Sequence, residues 1–92
     1  MRVTWDPAKA AANEAAHGVK FAEAATVLED ERALTRQDAD AIGEQRFVTL
    51  GLSDEGNPLV VIYTYRDRDV IRIISAWKAN KRQRVRYEKG RG

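Results

Sequence analysis

Three apolar runs separated by short polar turns fill the second half of the 92-residue chain. They cover residues 46–52, 59–65 and 70–75, and each is rich in the β-branched and aromatic residues that favour strands. The polar turns at residues 53–58 and 66–69 are short enough for hairpins. The three runs are therefore predicted to pair as an antiparallel meander.

Two helices are predicted to precede these strands. Asp6 is suited to cap a first helix that has Pro7 at its first position, where the missing N–H costs nothing. Gly18 supplies a left-handed stop for this helix. A second helix is predicted to begin near Phe21, because alanines and larger apolar residues follow it at helical spacing.

A last helix is predicted to begin at Ser75, as its cap, and to run to about Glu88. Short strands at residues 2–5 and 33–35 complete the order β-α-α-β-β-β-β-α. A chain of this length forms one modest core, so a single domain over residues 1–92 is expected. The predicted fold class is α+β, with two N-terminal helices and a C-terminal helix packed on one face of an antiparallel meander sheet.

The composition excludes several kinds of enzyme. One histidine and no cysteine exclude a Cys/His nucleophile pair and a zinc cluster. The consecutive acids at residues 29–31 are more typical of a turn facing water than of a Mg²⁺ site, so no metal and no cofactor are expected. No segment has the length of a membrane span, and the lack of cysteine fits a reducing compartment. We therefore expect a cytoplasmic protein without membrane contact.

The charges are unevenly distributed. Residues 1–45 carry nine acidic and five basic side chains, whereas residues 46–92 carry five acidic and eleven basic ones. Arg72 interrupts an apolar strand just before the most basic stretch, and with the free amides of a helix start it predicts a phosphate site. The alternatives are a solvated basic tail and an arginine that reaches solvent from an exposed sheet face.

Three further side chains have alternative interpretations. His17 is either a C-terminal helix cap, which we favour, or a catalytic base. Asn13 lies one turn earlier and is expected to pair with His17 or with a loop backbone. Tyr87, near the C-terminus, either packs on the sheet or donates a hydrogen bond to a phosphate.

Short motifs spread over nearly the whole chain resemble, in order and spacing, those of the BrnT toxins. The matching segments are Trp5-Asp6-Pro7-Ala8-Lys9 with Asn13, His17-Gly18-Val19, Phe21 with Glu23-Ala24, Gly43-Glu44 with Arg46, Leu50-Gly51 with Ser53, Arg72-Ile73-Ile74-Ser75-Ala76, Lys78-Ala79, Arg84 and Tyr87-Glu88. The resemblance implies a bacterial type II toxin with a RelE-like ribonuclease fold, which inhibits translation by cutting RNA without a metal. It also implies a BrnA-type antitoxin that neutralises the toxin, binds operator DNA and joins it in a heterotetramer.

The chemistry expected of such a toxin is in-line attack of a ribose 2′-OH on the adjacent phosphorus, while cations neutralise charge on the non-bridging oxygens. The predicted catalytic residues are Arg46, Arg72, Lys78, Arg84 and Tyr87, the last as a proton donor or orienter. The predicted RNA-binding residues are Trp77, Lys81 and Arg82. No side chain is identified as the general base.

Two positions depart from the family pattern. Trp77 stands where an arginine is usual, and Gln83 stands where a glutamate is more frequent. An indole offers one neutral donor and no charge, so one hypothesis is an attenuated toxin. A second hypothesis is that Trp77 stacks on an RNA base. The alternative function is a non-catalytic interaction domain that acts as a co-repressor bound to its antitoxin.

Overall fold

A computed structural model describes residues 1–90 as three helices around one five-stranded sheet. The elements are β1 Arg2–Thr4, α1 Pro7–His17, α2 Phe21–Val27, β2 Leu34–Gln37, β3 Phe47–Leu52, β4 Pro58–Asp67, β5 Val70–Lys78 and α3 Lys81–Lys89. This order along the chain is the predicted one. Arg91, the last basic residue of the C-terminal stretch, lies outside the described residues.

The sheet is mixed, so the prediction of a purely antiparallel sheet was wrong. Its strand order is β1-β5-β4-β3-β2, and the four strands from β2 to β5 pair antiparallel. However, β1 pairs parallel with β5, with Arg2 opposite Val70 and Val3 opposite Ile71. Hairpin-sized turns fix the direction only of strands that follow one another. They carry no information about β1, because most of the sequence separates β1 from its partner β5.

The first helix begins and ends where the sequence predicted. The Asp6 carboxylate accepts a hydrogen bond from the Lys9 N–H at 2.9 Å, and Pro7 occupies the first turn. Gly18 ends the helix with φ of 69°, a left-handed conformation that costs glycine little. Helices α1 and α2 cover one face of the sheet, and their shared core is built from Val19, Phe21, Ala24, Val27, Leu59, Val61, Tyr63, Ile71, Ile73 and Ala76.

Strand β5 is longer than predicted, and α3 begins later. The strand runs to Lys78, and Asn80 rather than Ser75 caps α3, in a capping box with Gln83. Residues 75–78 continue to pair with β4, so tertiary pairing overrides the helix propensity of Ala76. A bulge opposite Ile62 and Tyr63 also shifts the alternation of side chains, which puts Ala76 in the core with Ile71 and Ile73.

Helix α3 packs on the face of the sheet opposite α1 and α2, so the prediction that all helices share one face was wrong. Its Tyr87 packs against a second apolar cluster formed by Leu50, Val60 and Ala79, the last of which lies just before the helix. Because β3 and β4 carry apolar side chains on both faces, the second face also needs cover. None of the three helices within residues 1–90 is both long and apolar enough to cross a bilayer.

Asn13 completes the edge of β5 where β1 stops. Strand β1 pairs only as far as Arg72, which leaves Ala76 without a neighbouring strand on that side. The Asn13 amide takes that place: its Oδ1 accepts from the Ala76 N–H at 3.1 Å, and its Nδ2 donates to the Ala76 carbonyl at 2.8 Å. The same side chain donates to the Val19 carbonyl and accepts from the Ser75 hydroxyl. Asn13 therefore bonds backbone of the loop and strand and makes no pair with His17.

Candidate functional site

The sheet face opposite α1 and α2 is only partly covered, and we call it the open face. Its apolar side chains come from the central strands, with Val48 and Ile62 paired in one row and Leu50 and Val60 paired in the next. Helix α3 lies mainly over the second of these rows, through Tyr87, and Ala79, just before the helix, packs on the same row. Much of the first row therefore stays accessible, and Val48 and Ile62 are half-buried.

Arg46 and Arg72 lie in one row at the uncovered end of the open face. Thr64 pairs with Arg72, and Phe47 pairs with Tyr63 on the other side of β4, so continuing this antiparallel register by one residue places Arg46 beside Thr64. With two inter-strand spacings between them, their Cα atoms are about 10 Å apart. Arg46 pairs with Glu44 at 3.3 Å, whereas Arg72 has no acidic partner among residues 1–90.

Lys78 and Arg84 do not join this pair. Arg72 and Lys78 are six residues apart on one strand, which places their Cα atoms more than about 15 Å apart. Lys78 lies beside Ala16 and His17 at the end of α1, and Arg84 donates to the Ala79 carbonyl at 2.9 Å. The predicted catalytic cations therefore fall into two groups at opposite ends of β5.

The three predicted RNA-binding residues lie at the α3 end. Trp77 is half-buried in the cluster of Leu50 and Val60, and its ring centroid is 6.1 Å from that of His17. Lys81 and Arg82 are exposed on the first turn of α3. Within residues 1–90 no three acidic or histidine side chains come close enough together to hold a metal ion.

A groove of about 150 Å³ lies between α3 and the strands of the open face. Its floor is apolar, and its walls carry Arg36 from β2 and Gln83 and Arg86 from α3; the floor residues are Leu34, Val48, Leu50 and Val60. From the sequence, none of these three polar residues was assigned to a site, although Gln83 was noted as a departure from the family pattern. Two sequence signals could have indicated them. Strand alternation puts Arg36 on the same face as Leu34, and the i, i+3 spacing puts Gln83 and Arg86 on one side of the helix.

Tyr87 holds α3 against the body of the protein. Its hydroxyl donates to Asp30 Oδ2 at 2.5 Å, and the same carboxylate accepts from the N–H groups of Leu52 and Arg32. Desolvation acts to raise the pKa of Asp30, but the hydrogen bonds from Tyr87, Leu52 and Arg32 and the charge of Arg32 together hold it below its usual value. Desolvation, followed by the bond to Asp30 and its charge, raises the pKa of Tyr87.

Replacing Tyr87 with phenylalanine is expected to lower the free energy of unfolding by about 1–2 kcal/mol at pH 7, because a hydrogen bond to a charged acceptor is lost. Since folding lowers the pKa of Asp30, its carboxylate stabilises the fold above about pH 4 and ceases to do so as the pH falls further. The difference between wild type and variant should therefore shrink below pH 4. Urea denaturation between pH 3 and pH 7 measures it, and a difference that stays constant with pH would contradict the role of Asp30.

The comparisons with known proteins agree on one family and one fold. A family model described as the ribonuclease toxin BrnT of a type II toxin–antitoxin system matches residues 5–83. The crystal structure of the Brucella abortus ribonuclease toxin BrnT superposes with a TM-score of 0.66 at 22% identity, over 88% of this chain and 99% of that chain. At that identity the superposition shows the fold alone. No curated protein sequence matches the chain.

Proposed function

Because the chain belongs to the BrnT family of ribonuclease toxins of type II toxin–antitoxin systems, we propose that it cuts RNA on the open face without a metal ion and so inhibits translation. The observation that carries this proposal is the row that joins Arg46 and Arg72 across β4, beside an accessible apolar surface. Arginines in such a position match the phosphate group and the unstacked bases of single-stranded RNA.

In the proposed reaction the ribose 2′-OH gives its proton to solvent and its oxygen attacks the adjacent phosphorus. The bond from phosphorus to the 5′ oxygen of the next nucleotide breaks, that oxygen takes a proton from solvent, and a 2′,3′-cyclic phosphate remains. Arg72 and Arg46 stabilise the charge that grows on the non-bridging oxygens. Among residues 1–90 the open face offers no histidine as a general base, since His17 lies at the end of α1. Catalysis here is therefore electrostatic and positional.

Tyr87 supports this chemistry by positioning α3, because its hydroxyl is bonded to Asp30 and its raised pKa keeps it neutral. Arg84 has a similar role, since it bonds the Ala79 carbonyl at the start of the helix. Lys78, Lys81 and Arg82 contribute positive potential that attracts RNA to this end of the molecule.

The proposed partner is a BrnA-type antitoxin that neutralises the toxin, forms a heterotetramer of two copies of each protein and binds operator DNA. The family implies an antitoxin, and the large apolar side chains left exposed at this end of the molecule fit an interface with one: Leu52 is 38% and Val85 is 41% exposed. The same observation favours the second candidate function, a non-catalytic domain that acts only as a co-repressor with its antitoxin. RNA cleavage in EDTA separates the two.

Replacing Trp77 with arginine tests whether this copy is attenuated. If the family's arginine contacts the scissile phosphate, its restoration should raise the cleavage rate about 100-fold, since one such contact is worth roughly 3 kcal/mol. Growth inhibition on induced expression, together with the cleavage rate of the purified chain, measures the effect. Trp77→Gln is the matched control, because it removes the indole without adding charge and should not restore toxicity. Toxicity unchanged by Trp77→Arg would contradict attenuation and favour the stacking role of Trp77.

A further inference from the structure

The groove beneath α3 carries an inference that rests on the proposed function and extends it. We propose that this groove is a subsite for one nucleotide of single-stranded RNA next to the cleaved bond. In this subsite Arg36 and Arg86 bind the phosphate, and Gln83 donates a hydrogen bond to the base. The apolar floor receives the flat face of the base or the ribose.

The size of the groove indicates part of a polymer rather than a free small molecule. Its volume of about 150 Å³ is below the roughly 300–1,000 Å³ of pockets that enclose a whole small-molecule ligand. The floor consists of leucine and valine side chains, which can contact the face of any base, and two of them, Leu34 and Val48, are half-buried. A nucleotide within an RNA chain has a base with an apolar face and a charged phosphate. The base fits the apolar floor, and the phosphate fits the basic walls.

The two arginines of the groove are free to bind an anion. Arg36 makes one long hydrogen bond, to the Gln37 carbonyl at 3.4 Å, and the Arg86 guanidinium has no acceptor among residues 1–90. Among residues 1–90, those that line the groove include no acidic side chain. Arg36 and Arg86 come from different elements, so the fold itself brings two unpaired cations to one small apolar groove. This charge pattern is complementary to a phosphodiester.

Gln83 is fixed so that it offers only a donor. The capping box uses its Oε1, which accepts from the Asn80 N–H at 2.8 Å, while the Asn80 side chain accepts from the Gln83 N–H at 2.8 Å. Its Nε2 has no protein acceptor among the described residues. A glutamate here would still complete the capping box, but its second oxygen would bring a negative charge to the groove. Gln83 therefore makes the groove of this chain selective for base edges that present acceptors.

The groove adjoins the proposed cleavage site. Arg36 pairs with Val48, one row from Arg46, so the Cα atoms of the two arginines lie about 8 Å apart diagonally across neighbouring strands. A strand of RNA that places one phosphate between Arg46 and Arg72 can therefore place a neighbouring nucleotide in the groove.

Binding of a non-cleavable oligonucleotide tests the phosphate contacts. The probe is a fluorescent 2′-O-methyl oligoribonucleotide, which cannot undergo 2′-OH attack, and the full chain is titrated against it by anisotropy. Arg36→Met and Arg86→Met should each weaken binding about tenfold and reduce the slope of log affinity against log salt by about 0.7. Arg68→Met, at an exposed turn, is the matched control for net charge and should change affinity less than about twofold.

The contribution of Gln83 is measured by ranking oligo-A, oligo-C and oligo-U probes of the same backbone. Gln83→Met should level the affinities of the three probes, whereas the arginine variants should weaken all three alike. Gln83→Glu, which keeps the capping box, should weaken all three by more than tenfold and leave thermal stability unchanged.

The outcomes separate the subsite from the catalytic proposal. Unchanged affinity in Arg36→Met and Arg86→Met, in a chain that cleaves RNA, overturns the subsite and leaves the ribonuclease function standing. Loss of affinity in both variants, in a chain that never cleaves RNA, supports the subsite and overturns the catalytic proposal. A wild-type chain that binds none of the probes overturns the subsite whatever its activity.

Discussion

Replacing Asn13 with alanine is expected to lower the free energy of unfolding by about 3–4 kcal/mol. The substitution leaves the N–H and carbonyl of Ala76, the Val19 carbonyl and the Ser75 hydroxyl without their partner. The three groups of the buried residues Val19 and Ala76 each cost about 1 kcal/mol when left unpaired, the lower end of a range of about 1–3 kcal/mol, and the half-buried Ser75 hydroxyl adds less. In a domain of this size the loss corresponds to a fall in Tm of roughly 15–20 °C, which thermal unfolding at pH 7 measures.

The control is Asn57→Ala, because the Asn57 amide donates to Glu23 at an exposed position. That variant should lose less than about 1 kcal/mol. Asn13→Asp tests the geometry further, since it keeps the acceptor but removes both donated bonds. A loss below about 1 kcal/mol in Asn13→Ala would contradict the role of Asn13 as the missing neighbour of β5.

Replacing Arg72 with alanine is expected to reduce the rate of RNA cleavage at least 100-fold. Arg72 is the unpaired cation of the row that faces the proposed scissile phosphate, and loss of one donor to a developing oxyanion costs roughly 10²–10³ in rate. Single-turnover cleavage of a labelled RNA measures the chemical step apart from binding.

Two further variants make this result specific to the guanidinium. Arg72→Lys keeps the charge but loses the planar pair of donors, so its rate should fall between wild type and alanine. Arg68→Ala removes one positive charge from an exposed turn and should leave the rate within about twofold. Equal losses in Arg68→Ala and Arg72→Ala would indicate a general effect of net charge.

Local signals predicted the local parts of this fold. The Asp6 cap, Pro7 and the stop at Gly18 act within one or two helical turns, and they gave the bounds of α1. The turns at residues 53–57 and 68–69 fixed the antiparallel pairs of β3, β4 and β5. The parallel pairing of β1 with β5 joins residues 68 positions apart, so no local sequence signal predicts it.

The start of α3 could not be predicted because two local preferences competed. Ser75 and the alanines favour a helix, but pairing with the long strand β4 continues to Lys78, and Asn80 then offers a capping box. The face on which α3 docks depends on that distant pairing. The groove residues Arg36, Gln83 and Arg86 meet only through this docking, so their association could not be predicted from the sequence. The row of Arg46 and Arg72, in contrast, follows from the register of the two hairpins.

The most direct test of the central claim is RNA cleavage by the purified chain in EDTA, measured for the wild type and for Trp77→Arg. Trp77→Arg is included so that an attenuated wild type does not hide the activity of the fold. If cleavage takes place on the open face without a metal, at least one of the two chains should give products that end in a 2′,3′-cyclic phosphate. Adding Arg72→Ala to that chain should abolish these products. The contradicting result is no cleavage by either chain at any concentration while the antitoxin still binds tightly, which would make the protein a non-catalytic interaction domain.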